Sequence, residues 1–413
     1  MNDDYTSGMV MNDSEAGPGD AAYYSQDDTA AFFYEKATKS NDRKAQTMLG
    51  YICSKGEGVP ADQSRAIYWY QLAANQGDTD AQRELGKLLS NGSRDNADAS
   101  KGIEYIKRAA AEGDVEAIFQ LGYSYFRGQG VNEDNDKAAS LFSIAAEKDH
   151  RASQFYLGVC YEGGYGVERD QKKAAEWYSK AMVTSVSATY RLARLKLMGD
   201  DDLRDIVGGL ELLKEAAEYG ESNALHLLGS YYFRGVHLPK SLKMAEKLFQ
   251  LAIEKGDVKS YEYLGMIYYC GDKDLEKDKA KAMQYFEIAV KHGSLFAKDI
   301  IGSAYFIGSD GYEKNIPKAM ELLKEPAEAG IASSQACYGS CFMTDESGAK
   351  DFKKALYWLE KAAEQNDNQG LFFAGLIYLK GDAGERNMMK ARYYLGKAAE
   401  NGVQDAKEIL NSI

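Results

Sequence analysis

Four stretches of this chain have residue types at spacings that chemistry uses. Gly163-Gly164-Tyr165-Gly166 is glycine-rich, as loops are that cradle a phosphate on free backbone N–H groups. The segment DKDLEKD (272–278) offers several carboxylates close together, as a calcium loop does. Ser347-Gly348-Ala349-Lys350 has the Ser-x-x-Lys spacing of an acylating serine. His150, His226, His237 and His292, with Cys337 and Cys341 four residues apart, are the candidate metal ligands.

Each stretch lacks a part that its chemistry needs. A phosphate loop follows a strand or ends in Lys-Ser/Thr, and GGYG does neither. The calcium pattern lacks its glycine, and Met283 stands where a bidentate Glu is required. No Lys-Thr-Gly accompanies Ser347. The histidines form no His-x-x-x-His and no pairing with cysteine, and Cys337 and Cys341 read as core thiols on one helix face. No catalytic residue, metal or cofactor is expected.

The elements that position these stretches are repeats. A pattern that begins at Ala45 restarts at Ala81, Ala117, Ser153, Ala188, Ala224, Ser260, Ala297, Ser334 and Gly370, every 35 to 37 residues. A fixed period of this size means stacked supersecondary units. Each unit reads as two helices. Inside the first, a glycine recurs at Gly50, Gly86, Gly122, Gly158, Gly229, Gly265, Gly302, Gly339 and Gly375. A helical glycine costs about 1 kcal/mol against alanine, so close approach of the partner helix is expected there. The first helix ends at a second recurrent glycine, Gly56, Gly92, Gly128, Gly164, Gly199, Gly235, Gly271, Gly308 or Gly381, where positive φ is expected. The second helix starts after Asp62, Asp98, Asp134, Asp170, Asp205, Ser241, Asp278, Asn315, Asp351 or Asn387, all preferred N-caps. It carries aromatic residues (Trp69-Tyr70, Phe142, Trp177-Tyr178, Phe249, Tyr285-Phe286, Trp358) and then a small pair such as Ala73-Ala74. The GGYG stretch is therefore a turn between two helices, and the 30 tyrosines are mostly repeat residues.

Leu-Gly, Gly-x-Gly-Val, Asp before Lys-Ala and Trp-Tyr-x-x-Ala-Ala together resemble the Sel1-like repeat family, related to the tetratricopeptide repeats. The resemblance implies an all-α protein, a right-handed α/α superhelical solenoid of about ten 36-residue helix-turn-helix repeats. It covers 29–413: a leading half-repeat at 29–44, ten repeats at 45–405 and a terminal capping helix at 406–413. The unit from Ala188 departs, with Ala193 in place of glycine and Gly208-Gly209 in its second helix, and a change of curvature is expected there. Residues 1–28 hold seven Asp/Glu and no Lys/Arg, so they are expected to be a disordered acidic tail.

The family resemblance implies a non-catalytic scaffold or adaptor that binds a protein or peptide along its concave face. Some exported members carry a cysteine pair in nearly every repeat, and this chain does not. A few members are described as β-lactamase- or penicillin-binding, so a hydrolase acting on β-lactam or peptidoglycan is the alternative, beside a regulatory subunit of an enzyme complex. The formal net charge of −13 argues against nucleic acid as the partner. No apolar run approaches ~18 residues, so no membrane insertion is expected. The first twenty residues lack the basic and apolar parts of a secretory signal, and five cysteines without paired spacing fit a reducing compartment. A cytoplasmic location is expected, with signal-independent export as the alternative. Self-association through bare ends stays open.

By analogy with related solenoids, the first helices carry the binding face. Its early positions are Lys44, Lys55, Arg83 and Lys87. Its middle positions are Phe119, Tyr123, Phe126, Arg127, Phe155, Tyr190, Arg194, His226, Phe233 and Arg234, and its later ones include Met266, Tyr269, Phe306, Phe372 and Leu376. Arginines among aromatics suit an extended partner with acidic groups. The apolar later positions suit an amphipathic helix.

Overall fold

The computed structural model describes residues 21–92 and 96–413, and among these no strand occurs. The chain forms two compact units that divide between Leu212 and Leu213. Unit 1 holds α1 (Ala21–Tyr24), α2 (Asp28–Lys39), α3 (Arg43–Lys55), α4 (Gln63–Asn75), α5 (Thr79–Gly92), α6 (Asn96–Ala111), α7 (Val115–Arg127), α8 (Asn135–Glu147), α9 (Arg151–Gly163), α10 (Gln171–Ala181) and α11 (Val186–Met198). The division falls within α12 (Ile206–Glu218). Unit 2 holds α13 (Ser222–Arg234), α14 (Leu242–Glu254), α15 (Ser260–Cys270), α16 (Lys279–Lys291), α17 (Leu295–Ile307), α18 (Ile316–Glu328), α19 (Ala332–Cys341), α20 (Phe352–Glu364), α21 (Asn368–Lys380), α22 (Met388–Glu400) and α23 (Gln404–Leu410). From α3 to α22 each odd-numbered helix is the first of a pair and each even-numbered one is the second.

The second helices begin where their caps dictate. Asp62 accepts the Arg65 N–H at 3.0 Å, and the same bond closes Asp134, Asp170, Asp205, Ser241, Asp278, Asn315, Asp351 and Asn387 onto the first turns that follow them. Each satisfies a backbone N–H that has no partner within the helix. The exception is Asp98: α6 starts at Asn96, so Asp98 lies inside the helix.

The recurrent glycine of the first helix is a socket for a ring at Gly50, Gly122, Gly158, Gly229 and Gly265, and for an aliphatic side chain such as Ile106, Leu323 or Leu395 at Gly86, Gly302 and Gly375. A Cβ on Gly50 would come within 2.6 Å of the Tyr70 ring, on Gly158 within 2.6 Å of Tyr178 and on Gly265 within 2.5 Å of Phe286. Tyr70, Tyr178 and Phe286 are buried, and burying a large ring offsets the propensity cost of glycine. The repeat with Ala193 compensates from the other side: Gly209 of α12 faces Leu197, and a Cβ there would come within 2.8 Å of its side chain. Most first helices end on a left-handed glycine, as at Gly164 (φ 73), whose N–H returns to Cys160 O at 2.8 Å. Gly199 differs, with φ −74, because the chain leaves α11 extended and turns later, at Asp200–Leu203.

Both ends of the array are covered. Residues 21–24, expected in the acidic tail, instead form α1. Tyr24 is fully buried there, stacked on Tyr34 at 4.7 Å and accepting a hydrogen bond from Trp69 Nε1 at 2.6 Å. The expected disorder of residues 1–20 lies outside the described residues. The first unit begins at Arg43, two residues earlier than expected, and the terminal helix begins at Gln404. Ala406 of α23 is fully buried against the α21 and α22 cluster.

Candidate interaction faces of the first helices

In five repeats the residue two positions after the start of the pattern reaches the N-terminal turn of the next first helix, or the residues just before it. Arg83 of α5 donates to Asp114 at 2.5 Å, while Asp114 caps α7 by accepting the Ala117 N–H at 2.7 Å. In unit 2, His226 Nδ1 meets Asp257 at 2.8 Å, and Asp257 accepts the Ser260 N–H at 3.0 Å. Ser294 Oγ donates to Glu262 at 2.6 Å, and Ser333 and Ser334 donate to Asp299 at 2.8 and 2.5 Å. The ring of Phe119 lies 4.9 Å from that of His150, the cap of α9. His150 Nδ1 accepts the Ser153 N–H, so its Nε2 carries the proton toward Glu116 at 3.1 Å. These contacts are rungs between successive units. Arg83, Phe119 and His226, read from sequence as outward binding positions, are rung residues.

One position further along, a ring lies on the second helix of the preceding pair. Tyr156 stacks on Phe142 at 5.4 Å and 24°, and Tyr263 stacks on Phe249 at 4.8 Å and 25°. Around Tyr156 gather Phe119, Tyr123 and Phe126, at 5.8, 5.3 and 5.9 Å. Phe155 packs on Tyr178 at 5.9 Å, Phe233 on Tyr263 at 5.8 Å, Tyr269 on Phe286 at 6.5 Å, and Phe306 joins the cluster of Ile316, Leu323 and Cys341. The first-helix rings among these, and Tyr190, are half-buried, each leaving part of its surface in solvent.

The cations divide. Arg83 faces Asp80, Glu84 and Asp114, and Lys87 faces Glu84 at 3.0 Å and Glu116 at 4.0 Å. Of the early positions, Arg83 and Lys87 are therefore neutralised by neighbouring carboxylates. Arg234 donates to Tyr263 Oη at 3.1 Å. Lys55 and Arg127 are exposed and have no carboxylate in ion-pair range among the described residues. Arg194 shares Glu162 with Arg191, whose Nη1 lies 2.9 Å from Oε2, and Tyr178 donates to the same oxygen at 2.6 Å. Burial pushes the Glu162 carboxyl up, but the Tyr178 hydroxyl and the two guanidiniums outweigh it and hold its pKa below the usual range. Tyr156, Glu162, Arg191 and Tyr263 were missed in the sequence. A signal existed for Glu162, which occupies the repeat position held by Phe126, Phe233, Tyr269 and Phe306.

The stretches with catalytic spacing are structural. Ser347 Oγ donates to Thr344 O at 2.8 Å, and Lys350 pairs with Asp345 at 3.0 Å, so the two make no dyad. Cys337 and Cys341 are buried, and burial pushes their thiols up to about 11 and about 12, away from thiolate chemistry. Asp272 caps a turn at Asp274 and Leu275. Among the described residues no group of three His, Cys, Asp or Glu could hold a metal ion, and no helix is long and apolar enough to cross a membrane. A cleft of about 420 Å³ in unit 2 is lined by His226, Glu262, Tyr263, His292 and Ser294, but His226, Glu262 and Ser294 already bond within the rungs.

The architecture is similar to that of a protective antigen from uropathogenic Escherichia coli displaying an SLR fold. The two share 28% identity over 92% of this chain and 81% of that one, with a TM-score of 0.76. A Sel1 repeat protein from Oxalobacter formigenes is also 28% identical, over 79% of this chain and 93% of that one, with a TM-score of 0.58. No curated protein matches the chain. The Sel1 repeat profile matches ten segments, residues 43–78, 79–114, 115–150, 151–181, 186–220, 222–257, 258–294, 300–331, 332–367 and 369–403. Proteins of this kind are typically interaction scaffolds. With its paired helices, glycine–ring sockets and ten matched repeats, the chain belongs to the Sel1 repeat family.

Proposed function

We propose that this protein is a non-catalytic scaffold that binds a protein or peptide along the first-helix faces of its units. The observation that carries the reading is the half-exposed aromatic row Phe119, Tyr123, Phe126 and Tyr156 on α7 and α9. Its rings are held by one another and by the rungs beneath them. Aromatic side chains that are already ordered lose little entropy when a partner covers them, which is what makes a binding hot spot. Phe233 and Tyr263 repeat the arrangement in unit 2. First helices also touch directly, α3 with α5, α13 with α15, and α17 with α19 and α19 with α21, as expected if they line the inner side of each unit. The engagement of Ser347 and Lys350 with other groups removes the motif that favoured a hydrolase. The buried free thiols suit a reducing cytoplasm.

Photo-crosslinking in the native host tests this. A benzophenone side chain at Tyr123 or Phe233 is expected to form a specific adduct with another protein. The same group at Ile144 or Met244, exposed on second helices of the same repeats, is expected to form none. Adducts only at the second-helix positions would overturn the reading.

A further inference from the structure

Several cations of the unit 1 first helices have carboxylates of their own. Arg43 has Asp78, Arg83 has three carboxylates and Lys87 has two. On α7 and α11, Arg127, Arg191 and Arg194 have only Glu162 between them among the described residues. Both oxygens of Glu162 are in use: Oε1 by Arg194, Oε2 by Arg191 and by the Tyr178 hydroxyl. A guanidinium carries five N–H donors, so one shared carboxylate leaves most of those on Arg191 and Arg194 unused. The side chains of Arg191 and Arg194 are 34% and 40% exposed, and Arg127 is exposed with no carboxylate near it among the described residues.

The surplus is held in place. Glu162 is itself only 14% exposed and fixes the two α11 guanidiniums, while the Phe155 ring lies 5.7 Å from the guanidinium of Arg191. Arg127 and Arg191 both act electrostatically on Tyr156, the ring at the centre of the aromatic row. Three cations on α7 and α11, beside the half-buried rings of α7 and α9, suit a ligand that is extended, carries several carboxylates and has apolar or aromatic side chains between them. A point anion would use one guanidinium at a time. A nucleic acid would meet a chain of net charge −13 with only this small basic area.

We propose that Arg127, Arg191 and Arg194 are the docking point for an acidic, extended segment of a partner protein. This rests on the scaffold reading and names the chemistry of its ligand. Bidentate Arg–carboxylate contacts give the orientation, and the rings of Phe119, Tyr123 and Tyr156 take the side chains between the carboxylates.

Fluorescence anisotropy on the full chain tests it, using a fluorescein-labelled peptide Glu-Leu-Glu-Tyr-Glu-Glu-Leu-Glu and its counterpart with Gln for every Glu. The acidic peptide is expected to bind at least about tenfold more tightly at low salt and to weaken as salt rises. Arg127→Gln and Arg194→Gln are each expected to weaken it about fivefold or more. Arg191 is left in place so that Glu162 keeps a partner, and circular dichroism checks that the variants fold. Lys55→Gln, on α3, is expected to change binding by less than about twofold. No binding, equal binding of the two peptides, or insensitivity to both arginine variants overturns the proposal, as does an oligouridylate binding more tightly than the acidic peptide. If crosslinking at Tyr123 captures a partner while the acidic peptide fails, the scaffold reading stands and acidic docking alone is lost.

Discussion

The rungs of the two units join successive first helices and differ in chemistry. In unit 1, Arg43 with Asp78 and Arg83 with Asp114 are ion pairs, and the His150 Nε2–H donates to Glu116. In unit 2, Ser294 donates to Glu262, and Ser333 and Ser334 donate to Asp299, with His226 on Asp257 as the remaining rung. These rungs pair a donor with an acceptor across successive first helices, and at Asp114, His150 and Ser294 one of the two doubles as an N-cap. Opposite charges are not required. The consequences differ because the surroundings differ. Glu116 is 43% exposed and Arg43 46%, so their pairs are screened by water and salt. Asp299 is 8% exposed and Ser334 is fully buried, so their bonds have no solvent to replace them.

The largest effect that would sharpen this contrast is at Asp299. Asp299→Ala removes the acceptor of two hydroxyls, one fully buried, and is expected to cost about 2–3 kcal/mol. Amide hydrogen exchange in the α17 and α19 peptides should report it, accelerating by roughly thirtyfold or more. Asp299→Asn keeps an acceptor and should lose less. The loss should change little between about 0.05 and 0.5 M salt. In unit 1, Arg83→Gln removes pairs with the exposed Asp80, the partly exposed Glu84 and the largely buried Asp114, but leaves Asp114 capping α7. About 1 kcal/mol is expected there, shrinking as salt is added. Equal losses, or equal salt dependence, would mean that burial does not separate the two kinds of rung.

What the sequence showed, and what it hid, follows from where the partners lie. The helix pairs, nine of ten second-helix caps and the glycine–ring sockets were legible because each recurs as one residue type within one repeat. Gly158 and Tyr178 are 20 residues apart and return as Gly265 and Phe286 with the same packing. The rungs were hidden for the opposite reason. Arg83 finds Asp114, and Asp299 finds Ser334, 31 and 35 residues later in the next repeat, and the residue types change at each step. The cations of the first-helix face could be read, but their carboxylates could not, so Arg83 and Lys87 looked like free positive charge. Glu162 escaped because it breaks an aromatic pattern that otherwise looks like packing. Gly199 differs because its loop is built from GDDDLRD, which turns later than the glycine loops do.

The smallest effect tests whether acid sensitivity belongs to unit 1 or to the histidine rungs. The hydrogen bond from His150, with help from Gln120 and Lys87, outweighs burial and holds the Glu116 carboxyl down at about 2, below its ordinary 4.5. A carboxylate whose pKa is depressed on folding stabilises the fold fully above its unfolded value. That contribution fades as pH falls from about 4.5 toward about 2. Because Glu116 is 43% exposed, solvent screening keeps the effect modest. In unit 2, burial pushes Asp257 up, but His226 and Ser260 outweigh it and hold it below the usual range, so its rung should weaken in the same direction. Hydrogen exchange compared at about pH 5 and pH 2.5, corrected for the intrinsic rate, should therefore show α9 and α15 loosening together at their N-terminal turns. Glu116→Gln should remove the acid step at α9 and leave the one at α15. Loosening at α9 alone would make acid sensitivity a property of unit 1, and the division between the units would then rest on charge as well as burial.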